Sequence, residues 1–189
     1  AEADIIVVNT CCFIKDALEE SIETILEMSQ YKNPDVGNCK GLIVAGCLGQ
    51  RYEKEFFDEL PEVDAIIGTT AYESIAEVAD EILGGKEQVK QLESIDLAMQ
   101  DGNGKLRVLS TAPYFAYLKI SEGCDNRCTY CVIPQMRGRH RSRELESLVE
   151  EATLLAQQGV KELVIVAQDT SIYGRDLYGK PMLDVLLRR

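Results

Sequence analysis

Short apolar runs alternate with amphipathic stretches along the first 85 residues of the chain. Runs rich in Ile and Val indicate buried strands, and apolar residues three and four positions apart indicate helices. On this basis the sequence predicts strands over residues 4–9, 41–45 and 65–68 and helices over residues 15–30, 50–60 and 73–83. Such alternation builds an α/β domain with a doubly wound parallel sheet, which has helices on both faces.

A second strand–helix series follows a polar, weakly patterned stretch at residues 86–112, which we interpret as a linker. The pattern predicts strands over residues 115–120 and 162–167 and helices over residues 145–158 and 182–187. Two such units leave both sheet edges unpaired and cannot close a barrel. We therefore expect a first domain over residues 1–85 and a partial barrel, truncated inside a larger domain, over residues 113–189.

Composition and charge narrow the function classes. The chain has 189 residues, 46% of them hydrophobic, and no stretch approaches the length of a membrane span. Residues 1–101 carry 22 acids and 7 bases, whereas residues 102–189 carry 10 acids and 13 bases, so the first half is a poor nucleic-acid binder by itself. The basic charge concentrates at four arginines, which form either a solvated loop or a contact for phosphate, carboxylate or a partner: Arg137, Arg139, Arg141 and Arg143.

Three cysteines lie on a loop directly after the strand predicted at residues 115–120. Three and then two residues separate Cys124, Cys128 and Cys131. Three thiolates bind three irons of a four-iron cluster and leave the fourth open to a small molecule, which suits a catalytic cluster better than an electron carrier. Zinc is the alternative, but it prefers four ligands, and beyond the single histidine, His140, no second ligand pair follows.

A second set of cysteines follows the first two strands. Cys11 and Cys12 come after the first strand and Cys47 after the second. Parallel strands end at the same edge of a sheet, so these thiolates can share a metal centre; burial as small apolar residues is the alternative. Cys39 lies in a polar turn, where we expect a solvent-exposed thiol or one without a role. Seven cysteines spaced as ligands favour a reducing, cytoplasmic compartment.

Several segments together resemble the methylthiotransferase family of radical S-adenosylmethionine (SAM) enzymes. They are Val8-Asn-Thr-Cys11, Ala45-Gly-Cys47-Leu, Ile120-Ser-Glu-Gly-Cys124, Cys128-Thr-Tyr-Cys131-Val-Ile-Pro134, Met136-Arg-Gly138 and Ser142-Arg143. The resemblance implies two 4Fe–4S clusters: a radical SAM cluster held by Cys124, Cys128 and Cys131, and an auxiliary cluster to which Cys11 and Cys47 contribute. The third auxiliary ligand, the rest of the barrel and a C-terminal RNA-binding-type domain are expected outside this chain, and activity is expected of the longer protein.

Residues 166–174 and 175–180 resemble the branch of the family that modifies a small-subunit ribosomal protein. The branch that modifies tRNA adenosine more often has asparagine where Asp169 stands. The resemblance implies a transferase that inserts a methylthio group at the β-carbon of an aspartate, with flavodoxin or ferredoxin as reductant. The alternatives are the tRNA-modifying relative and, from a different class, a non-catalytic iron–sulfur or zinc scaffold.

Four further residues are expected near the cofactor, and none is assigned a catalytic role. The resemblance implies that Tyr130 packs near the cluster or the adenine, with core packing as the alternative. Gln168 and Asp169 lie at the carboxyl end of a barrel strand, where they are expected to contact SAM or substrate, although Asp169 could instead cap the following segment. Glu122 precedes the cysteine loop and is expected in the same region.

Overall fold

The computed structural model describes residues 2–97 and 107–189 and divides the chain into two compact units. Unit 1 spans Ala1–Leu97 and unit 2 spans Ala98–Arg189. The predicted linker at residues 86–112 lies partly outside the described residues, at positions 98–106. Within the described ranges, no helix combines the length and the apolar character that crossing a membrane requires.

Unit 1 is built on a parallel sheet of four strands, bonded in the order β1–β2–β3–β4. Its strands are β1 (Ile5–Thr10), β2 (Gly41–Gly46), β3 (Ala65–Ile67) and β4 (Val89–Gln91). Its α-helices are α1 (Lys15–Ser29), α2 (Cys47–Arg51), α3 (Phe56–Glu59) and α4 (Ile75–Leu83). The β1–β2 register pairs Thr10 with Gly46, so the two strands end side by side.

Helices cover both faces of this sheet. Every residue of β2 is buried, which requires cover on each side because successive strand residues point to opposite faces. Residues of α4 pack in one cluster with Ile43, Ala45 and Ile67. On the other face Gly49 of α2 lies against Ile66, where an added Cβ would be 3.1 Å from the Ile66 Cβ. The doubly wound parallel α/β fold predicted from the sequence is therefore confirmed.

Two local predictions in unit 1 are wrong. The helix predicted over residues 50–60 is split into α2 and α3, and it begins earlier, at Cys47. Phe56 and Phe57, the first two residues of α3, are both buried. Strand β4 was missed in the weakly patterned stretch because only Val89 of its three residues is buried.

Unit 2 is a shorter α/β series with two small sheets. Its strands are β5 (Phe115–Lys119), β6 (Ser121–Glu122), β7 (Arg141–Ser142) and β8 (Glu162–Val166). Its α-helices are α5 (Ile133–Arg137), α6 (Leu145–Gln157), α7 (Arg175–Tyr178) and α8 (Leu183–Arg188). Strands β5 and β8 are parallel and pair Lys119 with Val166, so the segments that follow them leave the same edge. Strands β6 and β7 form a short antiparallel ladder.

Candidate functional site

The three cysteines of unit 2 lie on one loop, residues 124–131, which we call the cysteine loop. Its base is anchored, because Cys124 is buried and its N–H donates to the carbonyl oxygen of Gly138 at 3.2 Å. Residues 125–130 are all exposed. The Cys131 N–H donates to the Cys128 carbonyl oxygen at 3.0 Å, which closes a turn. The loop thus has a fixed base at the buried Cys124 and presents Cys128 to solvent, with Cys131 half-buried between them and the following helix.

A close backbone approach holds this base. Gly123 has a φ of +78°, a conformation that glycine adopts at little cost. A Cβ at Gly123 would collide with the carbonyl oxygen of Arg139 and would lie 2.7 Å from that of Gly138. The β6–β7 ladder brings the two chain segments together, since it pairs Glu122 with Arg141. Only a residue without a side chain fits between Glu122 and Cys124.

Gly123→Ala should therefore destabilise the chain more than a left-handed backbone alone can explain. We expect the free energy of unfolding to fall by more than about 3 kcal/mol, because a backbone collision adds to the roughly 1–2 kcal/mol cost of an alanine in this conformation. Gly179→Ala is the matched control: Gly179 has a φ of +72°, and an added Cβ would meet nothing within 4 Å. Urea unfolding measures both variants, and equal losses would contradict the close-approach account.

Glu122 joins the cysteine loop to the end of β8. It is 5% exposed, and its Oε2 accepts hydrogen bonds from Lys119 and, at 2.9 Å, from Arg137 Nη1. Its Oε1 accepts from the Gly123 N–H at 3.1 Å and from Gln168 Nε2 at 2.7 Å. Burial alone would raise the pKa of Glu122, but the charges of Lys119 and Arg137 together with these hydrogen bonds hold it below its ordinary value. A buried carboxylate thus remains ionised beside the loop.

The segment after β8 also contacts the cysteine loop. Asn126 Nδ2 donates to Asp169 Oδ2 at 2.8 Å, and Asp169 Oδ1 accepts from the Ser171 N–H at 3.0 Å and the Ser171 hydroxyl at 2.6 Å. The Ser171 hydroxyl contributes most to a lowered pKa of Asp169. Asp169 therefore caps the segment that follows it, as the alternative predicted, and its other carboxylate oxygen binds the cysteine loop. Gln168 and Asp169, which follow the carboxyl end of β8, thus both contact the cysteine loop or the residue that precedes its base.

The aromatic residue of the loop lies in solvent. The side chain of Tyr130 is 85% exposed, so the alternative of core packing is wrong. The exposed ring immediately precedes Cys131, whose own side chain is half-buried. Tyr130 is therefore accessible to a molecule bound at the loop.

Two of the four arginines after the loop are not part of a solvated basic surface. Arg143 is 7% exposed, and its Nη1 lies 2.6 Å from Glu151 Oε2. Arg137 forms the ion pair with Glu122 at 2.9 Å. For these two residues the alternative of a solvated loop is wrong, and the group that each contacts is a carboxylate inside the unit.

Three of the four cysteines of unit 1, Cys11, Cys12 and Cys47, follow the carboxyl ends of β1 and β2. Cys11 and Cys47 directly follow the paired residues Thr10 and Gly46, as the strand pattern predicted. Cys11 is exposed and Cys47 is buried, and Cys12 is buried nearby. Burial raises the pKa of the Cys12 thiol, and Cys47 raises it further.

Cys39 is buried, and the prediction of an exposed thiol there is wrong. Its side chain is 6% exposed, and its Sγ lies 3.2 Å from the carbonyl oxygen of Gly41 as a hydrogen-bond donor. The turn is polar in sequence, but it folds back, since the Cys39 N–H donates to the Tyr31 carbonyl oxygen at 3.1 Å. Cys39 is therefore part of the packed interior of unit 1 and belongs to neither candidate ligand set.

The donor set of the cysteine loop fits an iron–sulfur cluster with one open iron. All seven cysteines lie in the described part of the chain, no disulfide joins any of them, and three of the seven belong to unit 2. Three soft thiolate donors suit iron–sulfur chemistry, and residues 98–189 contain no fourth cysteine to close the cluster. Across residues 2–97 and 107–189, no three His, Cys, Asp or Glu side chains already converge as a metal site. The fit to an iron–sulfur cluster therefore follows from the three thiol donors and from their position on one loop.

Curated relatives match the chain from end to end. The ribosomal protein uS12 methylthiotransferase RimO of Lachnoclostridium phytofermentans is 56% identical over 100% of this chain and 42% of the relative. The proteins of the same name from Acetivibrio thermocellus and Clostridium tetani are 52% and 49% identical, over 99% and 100% of this chain and 42% and 41% of the relatives. The chain belongs to the radical SAM methylthiotransferase family. It spans about four tenths of the length of these relatives.

Two family descriptions match different parts of the chain. "Uncharacterized protein family UPF0004" matches residues 1–68, and "Radical SAM superfamily" matches residues 118–185, which include the cysteine loop. The structure of the radical SAM methyltransferase TsrM from Kitasatospora setae, with cobalamin and a 4Fe–4S cluster bound, covers 100% of this chain and 40% of that chain. Its TM-score is 0.62 at 14% sequence identity, so the similarity concerns the fold. The family resemblance found in the sequence is confirmed.

Residues 173–176 form hydrogen bonds with β7 and with Arg143, which follows it. These residues belong to the segment that resembles the ribosomal-protein branch of the family. The Tyr173 hydroxyl donates to the Arg143 carbonyl oxygen at 3.0 Å, and the Gly174 N–H donates to Ser142 Oγ at 2.8 Å. In return Asp176 Oδ2 accepts from the Ser142 N–H at 2.8 Å. These bonds connect residues 173–176 with the strand that pairs with the base of the cysteine loop.

The carboxyl group of Asp176 should make the free energy of unfolding of unit 2 depend on pH in the acidic range. Burial works against ionisation, but the hydrogen bonds from Ser142 and the nearby His140 outweigh it and lower the pKa of Asp176 below its ordinary 3.8. A carboxyl with a lowered folded-state pKa stabilises the fold above the unfolded-state pKa, and this contribution disappears as pH falls through the folded-state value. We expect Asp176→Asn to be less stable than the wild type at pH 6 and to converge with it below pH 3.8, as urea titrations would show. A difference independent of pH would contradict this assignment.

Proposed function

We propose that this chain belongs to a longer methylthiotransferase that inserts a methylthio group at the β-carbon of an aspartate in ribosomal protein uS12. The observation that carries the proposal is the cysteine loop: it follows β5 and β6, and Asn126 of the loop donates a hydrogen bond to Asp169, in the segment after β8, at 2.8 Å. In barrel enzymes this edge forms the active site. The names of the relatives supply the substrate.

In this proposal Cys124, Cys128 and Cys131 hold a 4Fe–4S cluster. When bound, the cluster and SAM supply the one-electron chemistry that activates an unreactive carbon–hydrogen bond. The chain's own residues bind and orient the cofactor. The exposed ring of Tyr130 offers a stacking surface for the adenine, and Gln168 and Asp169 border the site from the end of β8.

Unit 1 would hold the auxiliary cluster. Cys11 and Cys47 follow adjacent strand ends and would provide two thiolates, with a third supplied by the longer protein. The parallel sheet fixes both positions, because its register pairs Thr10 with Gly46. A flavodoxin or a ferredoxin would serve as reductant. Thiolate ligands and a ribosomal substrate both favour the reducing cytoplasm.

An assay of the full-length protein tests the proposed substrate. The anaerobically reconstituted enzyme is supplied with SAM, a chemical reductant and either uS12 or bulk tRNA, and the products are analysed by mass spectrometry. We expect uS12 to gain the mass of one methylthio group in place of hydrogen at an aspartate, with no change in tRNA. Modification of tRNA adenosine alone would overturn the substrate, and a protein that binds metal but modifies neither would leave the scaffold alternative.

A further inference from the structure

An apolar groove lies in unit 1 between α1 and the segment that contains α2 and α3. Its volume is about 380 Å³, within the range of clefts that bind ligands. Six of the described residues that line the groove have aliphatic or aromatic side chains: Leu18, Ile22, Leu48, Tyr52, Phe56 and Leu60. Leu48 and Phe56 are buried, whereas the other four are half-buried and keep part of their surface in solvent. The groove is therefore an open, apolar part of the surface of unit 1.

The rim of the groove is acidic. Among the described residues that line it, only Glu55 and Glu59 are charged, and both are exposed. They lie one helical turn apart, because the Glu59 N–H donates to the Glu55 carbonyl oxygen at 3.0 Å. Two carboxylates at this spacing offer acceptors to cationic side chains at the edge of an apolar surface.

The segments that form the groove add to this negative charge. Residues 15–29 and 47–60 together carry 9 acids and 3 bases. One of the three bases, Lys15, already pairs with Glu19 at 3.2 Å. The potential at the groove is therefore negative, which favours a basic ligand and disfavours nucleic acid, free phosphate or a second copy of the same acidic surface.

A basic polypeptide segment with apolar side chains matches both properties of the groove. Its apolar side chains would fill the space between Ile22 and Phe56, and its Lys or Arg side chains would reach Glu55 and Glu59. A small apolar molecule matches only the lining, and a polycation without apolar groups matches only the rim. Because a ribosomal protein binds RNA phosphates, it is rich in Lys and Arg, so the proposed substrate has the required chemistry.

We propose that this groove is a docking surface for a basic segment of the protein substrate. The segment inserts apolar side chains between α1 and α3 and places cationic side chains at Glu55 and Glu59. The inference rests on the proposed function, because it takes a ribosomal protein as the substrate. It adds a binding surface that uses none of the candidate cluster ligands but begins next to one of them in sequence, since Leu48 directly follows Cys47.

Binding of fluorescently labelled uS12 to the apo chain tests the acidic rim. The double variant Glu55→Lys/Glu59→Lys is expected to weaken this binding about tenfold at low salt, because each change replaces attraction with repulsion. The matched control is Glu77→Lys/Asp80→Lys, which makes the same change in charge at exposed positions of α4, on the opposite face of the sheet. We expect the control to bind uS12 within about twofold of the wild type.

Two results of that experiment would overturn the docking surface. Equal weakening in the two double variants would mean that uS12 is attracted by net charge alone. Wild-type affinity in Glu55→Lys/Glu59→Lys, or no binding of uS12 to the wild type, would mean that the groove does not hold the substrate. All four substituted side chains are exposed, so the comparison does not depend on a change in the core.

Ile22→Ser tests the apolar lining. Ile22 is half-buried on α1, and we expect its replacement to weaken uS12 binding about fivefold at low and at high salt, since the lost contact is apolar. Leu83→Ser is the matched control, because Leu83 is 49% exposed and lies on α4. An equal loss in both variants, or no loss in Ile22→Ser, would overturn the apolar contact.

Kinetics of the full-length enzyme separate the docking surface from the proposed function. We expect Glu55→Lys/Glu59→Lys to raise KM for uS12 about tenfold and to leave kcat unchanged, as loss of substrate binding away from the reacting atoms requires. If the wild type and this variant modify uS12 with the same KM, the docking surface is wrong and the proposed function stands. If the enzyme modifies tRNA alone, the proposed function fails and the docking surface fails with it.

Discussion

Cys128→Ser is expected to lower the iron bound after anaerobic reconstitution from about four atoms per chain to fewer than one, because three thiolates are the minimum that holds this cluster. Cys128 is exposed on the cysteine loop. The substitution should therefore leave the thermal unfolding midpoint of the apo chain unchanged, which separates loss of a ligand from loss of the fold. Iron and sulfide analysis together with the visible absorption of the reconstituted protein measure the effect.

The matched control for that loss is Cys39→Ala, which removes a thiol from the chain without touching the cysteine loop. Cys39 is buried in unit 1 against the Gly41 carbonyl oxygen at 3.2 Å. We expect it to keep its full iron content and to lose some stability instead. Iron retained in Cys128→Ser, or lost equally in both variants, would contradict the assignment of the loop as the cluster site.

Tyr173→Ala is expected to lower the free energy of unfolding by about 3–5 kcal/mol, the range measured for removal of a fully buried aromatic side chain. Tyr173 is 0% exposed and packs in the core of unit 2 with Leu118, Ile120 and Leu148. Its hydroxyl donates to the Arg143 carbonyl oxygen at 3.0 Å, so Tyr173→Phe, which keeps the ring, should lose only about 1 kcal/mol.

Tyr130→Ala is the exposed counterpart of that variant. Because the Tyr130 side chain is 85% exposed, its removal should change the free energy of unfolding by less than about 0.5 kcal/mol. Urea denaturation of the three tyrosine variants measures the series. A loss in Tyr130→Ala as large as that in Tyr173→Ala would contradict the burial that the structure assigns to the two rings.

The α/β class could be predicted because its signal is local. Strand β2 is buried along its whole length, so its sequence is a continuous apolar run, and the amphipathic pattern of α1 is long enough to be unambiguous. The cysteine loop could be placed after β5 for the same reason. Strand β4 could not, since a strand that buries only Val89 leaves almost no hydrophobic pattern.

The polar surroundings of the site depend on contacts that no local pattern contains. Glu122 is bonded to Arg137 and to Gln168, 15 and 46 positions further along the chain. Arg143 belongs to a basic stretch in sequence, but Glu151 neutralises it inside the unit. The family resemblance supplied the ligands and the reaction, whereas the arrangement of charge behind the loop became visible only in the fold.

The most direct test of the central claim is electron paramagnetic resonance of the anaerobically reconstituted, reduced chain, recorded with and without SAM. We predict about four irons per chain and a cluster signal whose g values shift when SAM is added, because SAM binds the iron that the three cysteines leave open. Zinc in place of iron, or a cluster signal that SAM leaves unchanged, would contradict the account and leave a metal-binding scaffold.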